Sequence, residues 1–172
     1  MSVQLVVTAI GEDRPGIISE ITKITSACNC NIIDSRMALF GNDFAFMMLL
    51  SGTPNAITCF EHALPELSLE KNLLTMMKRT KDHSEPQFSA RFNIDYEGED
   101  QPGTLSKISQ FLADLDVDIT ALKADLAADD PSKMVSTMRV NVPIDLPEDT
   151  FKEKFTEQCE TLKLTCQFTK IQ

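Results

Sequence analysis

The sequence has 172 residues, 42% of them hydrophobic, enough for two small cores of roughly 80 residues each. A formal net charge of −10 and an isoelectric point near 4.6 oppose a polyphosphate backbone, so any part in gene control is expected to run through another protein and not through direct nucleic-acid contact. The longest apolar run, Phe44 to Leu50, is strand-sized, which argues against a membrane-spanning helix; with no basic region or cleavable apolar segment at the N-terminus, a cytoplasmic location is expected.

In chain order, Val3 to Ile10 alternates as a strand with one buried face does. Gly11 to Arg14 predicts a tight turn, and Pro15 suits the first position of a helix, where its missing N–H costs nothing. Ile17, Ile18, Ile21, Ile24, Thr25 and Cys28 then form an apolar stripe at helical spacing. The helix should stop around Cys28 to Cys30, with Asn29 and Asn31 available for a left-handed turn. Ile32 to Phe40 reads as a strand, Gly41-Asn42-Asp43 as a hairpin turn, and Phe44 to Leu50 as the partner strand. Pro54 opens a second helix with Ile57, Phe60 and Leu64 inward. Leu69 to Lys78 fits a fourth strand, although Leu73, Met76 and Met77 also fit a helix.

Residues 81–87 are polar, contain Pro86 and read as a linker between a first domain, 1–80, and a second, 88–172. The second domain runs the same way. A strand from Phe88 to Glu97 leads to a helix from about Pro102 to Leu115 and a strand from Asp118 to Ala127. A longer turn at Asp129-Asp130-Pro131-Ser132 leads into a strand from Met134 to Val142. A helix from about Pro147 to Thr161, with Phe151, Phe155 and Cys159 inward, precedes a last strand from Leu162 to Lys170.

The two halves are copies. Gly11-Glu12-Asp13-Arg14-Pro15-Gly16 returns 87 residues on as Gly98-Glu99-Asp100-Gln101-Pro102-Gly103, with one difference in six. The helical apolar positions and the pair Asn31-Ile32, matched by Asp118-Ile119, keep the same offset, and one frame held over about thirty residues marks a duplicated domain. With right-handed crossovers, β-α-β-β-α-β twice gives an α+β protein of two ferredoxin-like domains, each a four-stranded antiparallel sheet with both helices on one face.

One sheet face is then left bare. The strand from Met134 to Val142 alternates, so its second side can meet water, whereas Phe44 to Leu50 is apolar on both sides, as strands covered on both faces are. The plain reading is a locally hydrophobic strand. The sharper one is a face that docks on the other repeat or on another subunit, a homodimer being one form. Five cysteines, Cys28, Cys30, Cys59, Cys159 and Cys166, recur nowhere between the copies, and Cys28-Asn29-Cys30 has no second pair or nearby histidine. No metal site is therefore expected, and reduced thiols acting as small hydrophobes are.

The repeated turn is the candidate site. A helix start presents unpaired backbone N–H groups and the positive end of the dipole, which suit a carboxylate. Gly16 and Gly103 allow close approach there, and Glu12 and Asp13 offer oxygens to an ammonium. Together these are what an α-amino acid needs, though Asp before Pro is also an ordinary helix-start signal.

The D-R-P-G turn after a first strand, the apolar helix and the N-I pair opening the second strand resemble the ACT domain, a small βαββαβ module that senses amino acids. A tandem of two with nothing else resembles the glycine cleavage system transcriptional repressor family. That resemblance implies a repressor acting through a transcriptional activator protein, with glycine as the signal, no cofactor and no chemistry of its own. A detached regulatory subunit of a biosynthetic enzyme, of the acetolactate synthase small-subunit type, is the alternative. The resemblance implies a ligand held by Asp13 and closed by Asn31 of a neighbouring domain, within a candidate site of Glu12, Asp13, Arg14, Pro15, Gly16, Ile17 and Asn31. The second-repeat equivalents are Asp100, Gln101, Pro102, Gly103, Thr104 and Asp118. Asp118 in place of an asparagine would repel a carboxylate, so the first repeat is the better candidate. An enzyme is not expected: His62 and His83 lie away from both turns, and no nucleophile triad, zinc-protease or phosphate-loop motif appears.

Overall fold

A computed structural model describes residues 2–81 and 87–171. The expected linker falls largely on 82–86, and His83 with it, outside the described residues. The chain divides into two compact units that part between residues 84 and 85.

In the first unit, β1 (Val3–Glu12) buries Leu5, Val7 and Ala9 on one face, as its alternation requires. It is followed by α1 (Ile17–Ala27), β2 (Asn31–Phe40), β3 (Asp43–Gly52), α2 (Pro54–Lys71) and β4 (Leu74–Thr80). The strands form an antiparallel sheet in the order β2-β3-β1-β4. Phe44, Phe46, Met48 and Leu50 of β3 meet Ile17 and Ile21 of α1 and Ile57, Phe60 and Leu64 of α2 in one core. The segment open to two readings resolves by length. The α2 helix runs on to Lys71 and stops at Asn72, in the left-handed conformation (φ 54°), so Leu69 is helical and Met76 and Met77 are in β4.

The second unit repeats the order: β5 (Phe88–Glu99), α3 (Thr104–Asp114), β6 (Asp118–Leu126), β7 (Lys133–Pro143), α4 (Glu148–Thr161) and β8 (Leu164–Ile171). Its sheet order is β6-β7-β5-β8. Four phenylalanine rings, Phe92, Phe151, Phe155 and Phe168, pack with centroids 5.7–6.1 Å apart, mostly edge to face. In this core the Tyr96 and Ser136 hydroxyls are both buried, and the two residues pair across β5 and β7. Burial pushes the Tyr96 phenol up, with partial relief from Ser136. Burial and the adjacent Cys166 thiol hold Cys159 well above the ordinary thiol range.

One expectation about the cysteines needs correction. Cys28, at the end of α1, is bonded to Cys59 of α2, with Cα atoms 5.6 Å apart. Three thiols, not five, are therefore free: Cys30, Cys159 and Cys166. Thirty-one residues separate the pair in sequence, so spacing gave no hint of it. Within its own unit β3 is covered by the helices on one face only. Met47 is 49% exposed, and Ala45 and Leu49 are half-buried on the sheet face away from the helices.

Candidate functional site

Each repeated turn joins the end of a long central strand to a helix. At the first, Glu12 still pairs with Asp43, and the Asp13 amide donates to the Asn42 carbonyl at 3.0 Å, tying the turn to the β2–β3 hairpin. At the second, the Asp100 amide donates to Ser132 at 2.8 Å. Neither helix starts at its proline. Gly16 precedes α1 with φ 91° and Gly103 precedes α3 with φ 87°, both left-handed, so Pro15 and Pro102 lie in the turn, outside the helix. A Cβ on either glycine would meet nothing within 4 Å. What requires glycine there is the positive φ, and the space before it is open.

The close approach expected at Gly16 and Gly103 belongs instead to the first glycine of each motif. A Cβ on Gly11 would lie 2.6 Å from Leu73 Cδ2; one on Gly98 would lie 2.6 Å from Leu164 Cδ2 and 2.8 Å from the Lys163 carbonyl. These glycines let β4 and β8 enter the sheet. Sequence alone misses this because the contacting residues are more than sixty positions away.

Neither α1 nor α3 has a side-chain cap, whereas the Thr53 hydroxyl caps α2 by accepting from the Ala56 amide at 3.2 Å. The α4 helix also lacks a side-chain cap but carries Glu148 and Asp149 in its first turn. At α1 the ladder begins where Glu20 donates to the Gly16 carbonyl at 3.0 Å, leaving earlier amides outside it. The Ile17 amide bends back to the Arg14 carbonyl at a long 3.3 Å, and the Ile17 side chain is core. Ile17 can therefore offer only its backbone. Arg14 reaches Glu20 at 3.1 Å, and Lys71 reaches the same carboxylate at 3.7 Å.

Two hollows flank these turns. One of about 280 Å³ is lined by Glu12, Asp13, Leu39, Gly41 and Asn42. The other, about 630 Å³, lies between the start of α3 and the end of β6, with Gly103, Thr104, Ser106 and Asp125 on its walls. Thr104 is buried, and its hydroxyl donates to the Gln101 carbonyl at 3.0 Å; Gln101 in turn donates to Glu99 at 3.2 Å.

Asn31 and Asp118 are not at these turns. Asn31 pairs with Ser51 while Glu12 pairs with Asp43, so the two lie at opposite ends of β3, about 26 Å apart at 3.3 Å per residue. Asp118 pairs with Asn141 at the far end of its own sheet. Within one unit, then, the turn and the asparagine do not meet. Among the described residues, no three His, Cys, Asp or Glu side chains gather as metal ligands, and no helix is long and apolar enough to cross a membrane.

The ACT domain profile matches residues 3–78. The glycine cleavage system transcriptional repressor of Escherichia coli (strain K12) is 45% identical over 105 residues, 61% of this chain and 55% of that protein. The chain therefore spans about half the length of the curated relatives it matches. A crystal structure assigned to a glycine cleavage system transcriptional repressor superposes over 100% of this chain and 99% of its own, with a TM-score of 0.77 and 32% identity. The chain belongs to the glycine cleavage system transcriptional repressor family. A Galdieria sulphuraria protein, 22% identical with a TM-score of 0.76 over the full length of both chains, shares the fold. As in that repressor family, the present chain carries two ACT-type βαββαβ units, the first matched directly by the profile.

Proposed function

We propose that the protein is an amino-acid-responsive regulator that represses glycine cleavage operon expression by contacting a transcriptional activator protein, not DNA. A small zwitterion, glycine first among candidates, sits at the start of α1. Its carboxylate meets the amides that precede the helix ladder, and its ammonium meets Asp13. Asn31 of a second copy of the chain closes the site, since the turn's own Asn31 lies a sheet-length away. The observation that carries this reading is the uncapped, left-handed glycine start of α1 facing open space, in a chain of this family. A site at the second turn is favoured by one observation, its larger hollow of about 630 Å³.

The test is calorimetric titration with glycine, serine and the branched-chain amino acids on wild type, Asp13→Ala, Asn31→Ala and Asp118→Ala, with thermal melts as the folding control. A charge-assisted hydrogen bond contributes roughly 1.5–3 kcal/mol, so Asp13→Ala should weaken binding about ten- to a hundredfold. Loss through Asp118→Ala alone would move the site to the second unit. Normal melting with unchanged binding in all three variants would refute a ligand site at these turns. For the partner, purified protein should leave duplex DNA unshifted at moderate salt, in keeping with the charge of −10.

A further inference from the structure

Three sulfurs gather where α1 ends. Cys28 closes that helix and is bonded to Cys59 of α2. Cys30 stands two residues on, beyond Asn29, whose left-handed backbone (φ 56°) turns the chain back over the helix it has just left. The amides of Cys28, Asn29 and Cys30 donate to the carbonyls of Ile24, Ser26 and Thr25 at 2.8–3.0 Å, which holds the corner in place. The corner brings the Cys30 thiol onto α2 as well, where it donates to the Ala56 carbonyl at 3.4 Å. Ala56 and Cys59 are three apart on that helix and share a face. Two sulfurs of the α1–β2 corner therefore lie against the same stretch of α2, one bonded to Cys59 and one free. Access differs among the three. Cys59 is exposed, Cys30 is half-buried and Cys28 is buried, so a molecule in solution reaches the bond from its Cys59 side. Disulfides open to solvent in this way are the labile and regulatory ones.

We propose that Cys28, Cys30 and Cys59 form a thiol–disulfide switch, opened at Cys59 by small-molecule thiols of the glutathione class, in which Cys30 is the second thiol that recaptures Cys59. It rests on the placement of the sulfurs and stands apart from amino-acid binding. A small thiol, as its thiolate, attacks the Cys59 sulfur. An S–S bond forms between them, the Cys28–Cys59 bond breaks, and Cys28 leaves with the electron pair and takes up a proton. Cys30 then gives up its proton and attacks Cys59; the small thiol leaves unchanged, and a Cys30–Cys59 bond replaces the first. A second small thiol competes with Cys30 for the same step. It removes the first as a small-molecule disulfide, so two small thiols are oxidised, the protein bond is reduced, and all three cysteines are left as thiols. Burial holds the Cys30 thiol above its ordinary value, which suits it to the second attack and not the first. Chain entropy does not choose between the two bonds. The Cys28 bond spans 31 residues and the Cys30 bond two fewer, and the closure cost varies only with the logarithm of that length. The two forms differ in what they pin. The Cys28 bond holds the end of α1, whereas the Cys30 bond holds the start of β2, directly before Asn31. The thiol pool sets whether α2 is tied at all, and the exchange sets where.

The experiment maps cysteine connectivity in the full chain after incubation in glutathione buffers of graded reduced-to-oxidised ratio. Samples are quenched in acid, alkylated and read by mass spectrometry of unreduced peptides, with far-ultraviolet circular dichroism as the folding control. In wild type the Cys28–Cys59 bond should open under native conditions. A glutathione adduct at Cys59 and a Cys30–Cys59 bond should both be found at intermediate ratios. Cys28→Ser should lose the first bond yet still join Cys59 to Cys30 at the ratio that closes wild type. A bond that opens only on denaturation, a wild type in which no Cys30–Cys59 bond is found at any ratio, or a folded Cys28→Ser variant that keeps Cys30 and Cys59 as separate thiols would each overturn the proposal. The first two results come from wild type alone, so a variant that fails to fold leaves the proposal open to refutation.

Discussion

Replacing Gly16 by alanine isolates what the turn demands of its backbone. The residue sits at φ 91° and ψ −12°, and an added Cβ would find nothing within 4 Å, so no clash contributes to the cost. What remains is the left-handed penalty of an L-residue, about 1–2 kcal/mol. Asparagine tolerates this region better, so Gly16→Asn should cost less than about 1 kcal/mol. For a unit of this size each kcal/mol lowers the melting midpoint by about 4–8 °C. Two units make a single transition unsafe to assume, but the chain has one tyrosine and no tryptophan, and Tyr96 lies in the second unit. Urea melts followed in parallel by tyrosine fluorescence and by circular dichroism separate the two. Gly16→Ala should shift the dichroism component that tyrosine does not report and leave the Tyr96 transition where it was. An alanine variant as stable as wild type, or an asparagine variant as damaged as alanine, would refute the assignment of Gly16 to backbone conformation alone.

The remaining expectations concern the cores. Gly98→Ala should cost about 1–3 kcal/mol, because the Lys163 carbonyl, 2.8 Å from the new Cβ, is backbone; Gly11→Ala should cost less, its clash being with the end of the Leu73 side chain. Paired denaturant melts compare the two. Under denaturing conditions without reductant a thiol assay should count three cysteines, rising to five after reduction. Reduction should cost the first unit about 3–4 kcal/mol by loop entropy for the 31-residue separation. Absorbance at 295 nm should show Tyr96 ionising above pH 10, in step with loss of structure. Its folded pKa is raised, so the native state holds the proton longer, and stability present below the unfolded phenol pKa of about 10 falls as pH rises past it. A tyrosine step near pH 10 with dichroism intact would contradict its burial.

Much of this architecture is legible because it repeats. Strand alternation from Val3, the Ile17-Ile21 stripe and the inward Phe151, Phe155 and Cys159 each follow a local period that the core then uses. The reading loses accuracy where the deciding partner is distant or conformational. The stop of α2 depends on Asn72 taking φ 54°, a state that the sequence permits but does not require. Pro15 looks like a first helical residue until Gly16 turns left-handed. The Cys28–Cys59 bond joins two helices whose packing must exist first. At the candidate site the turn was recognisable, but its separation from Asn31 by the length of β3 is a property of register, and register appears only when the strands pair.

Gly11, Gly16 and the proline between them specify a bend: one glycine clears a path for the incoming fourth strand, and the other accepts a backbone state closed to most residues. Folding alone would keep those letters in both copies whether or not anything binds there. The recurrence of the motif is therefore a record of how the chain must turn a corner. What distinguishes the copies, by the same logic, lies where their letters part company. Arg14 stands against Gln101 at the turn, and Asn31 against Asp118 at the far end of the sheet, so the two copies carry different charges on a common frame.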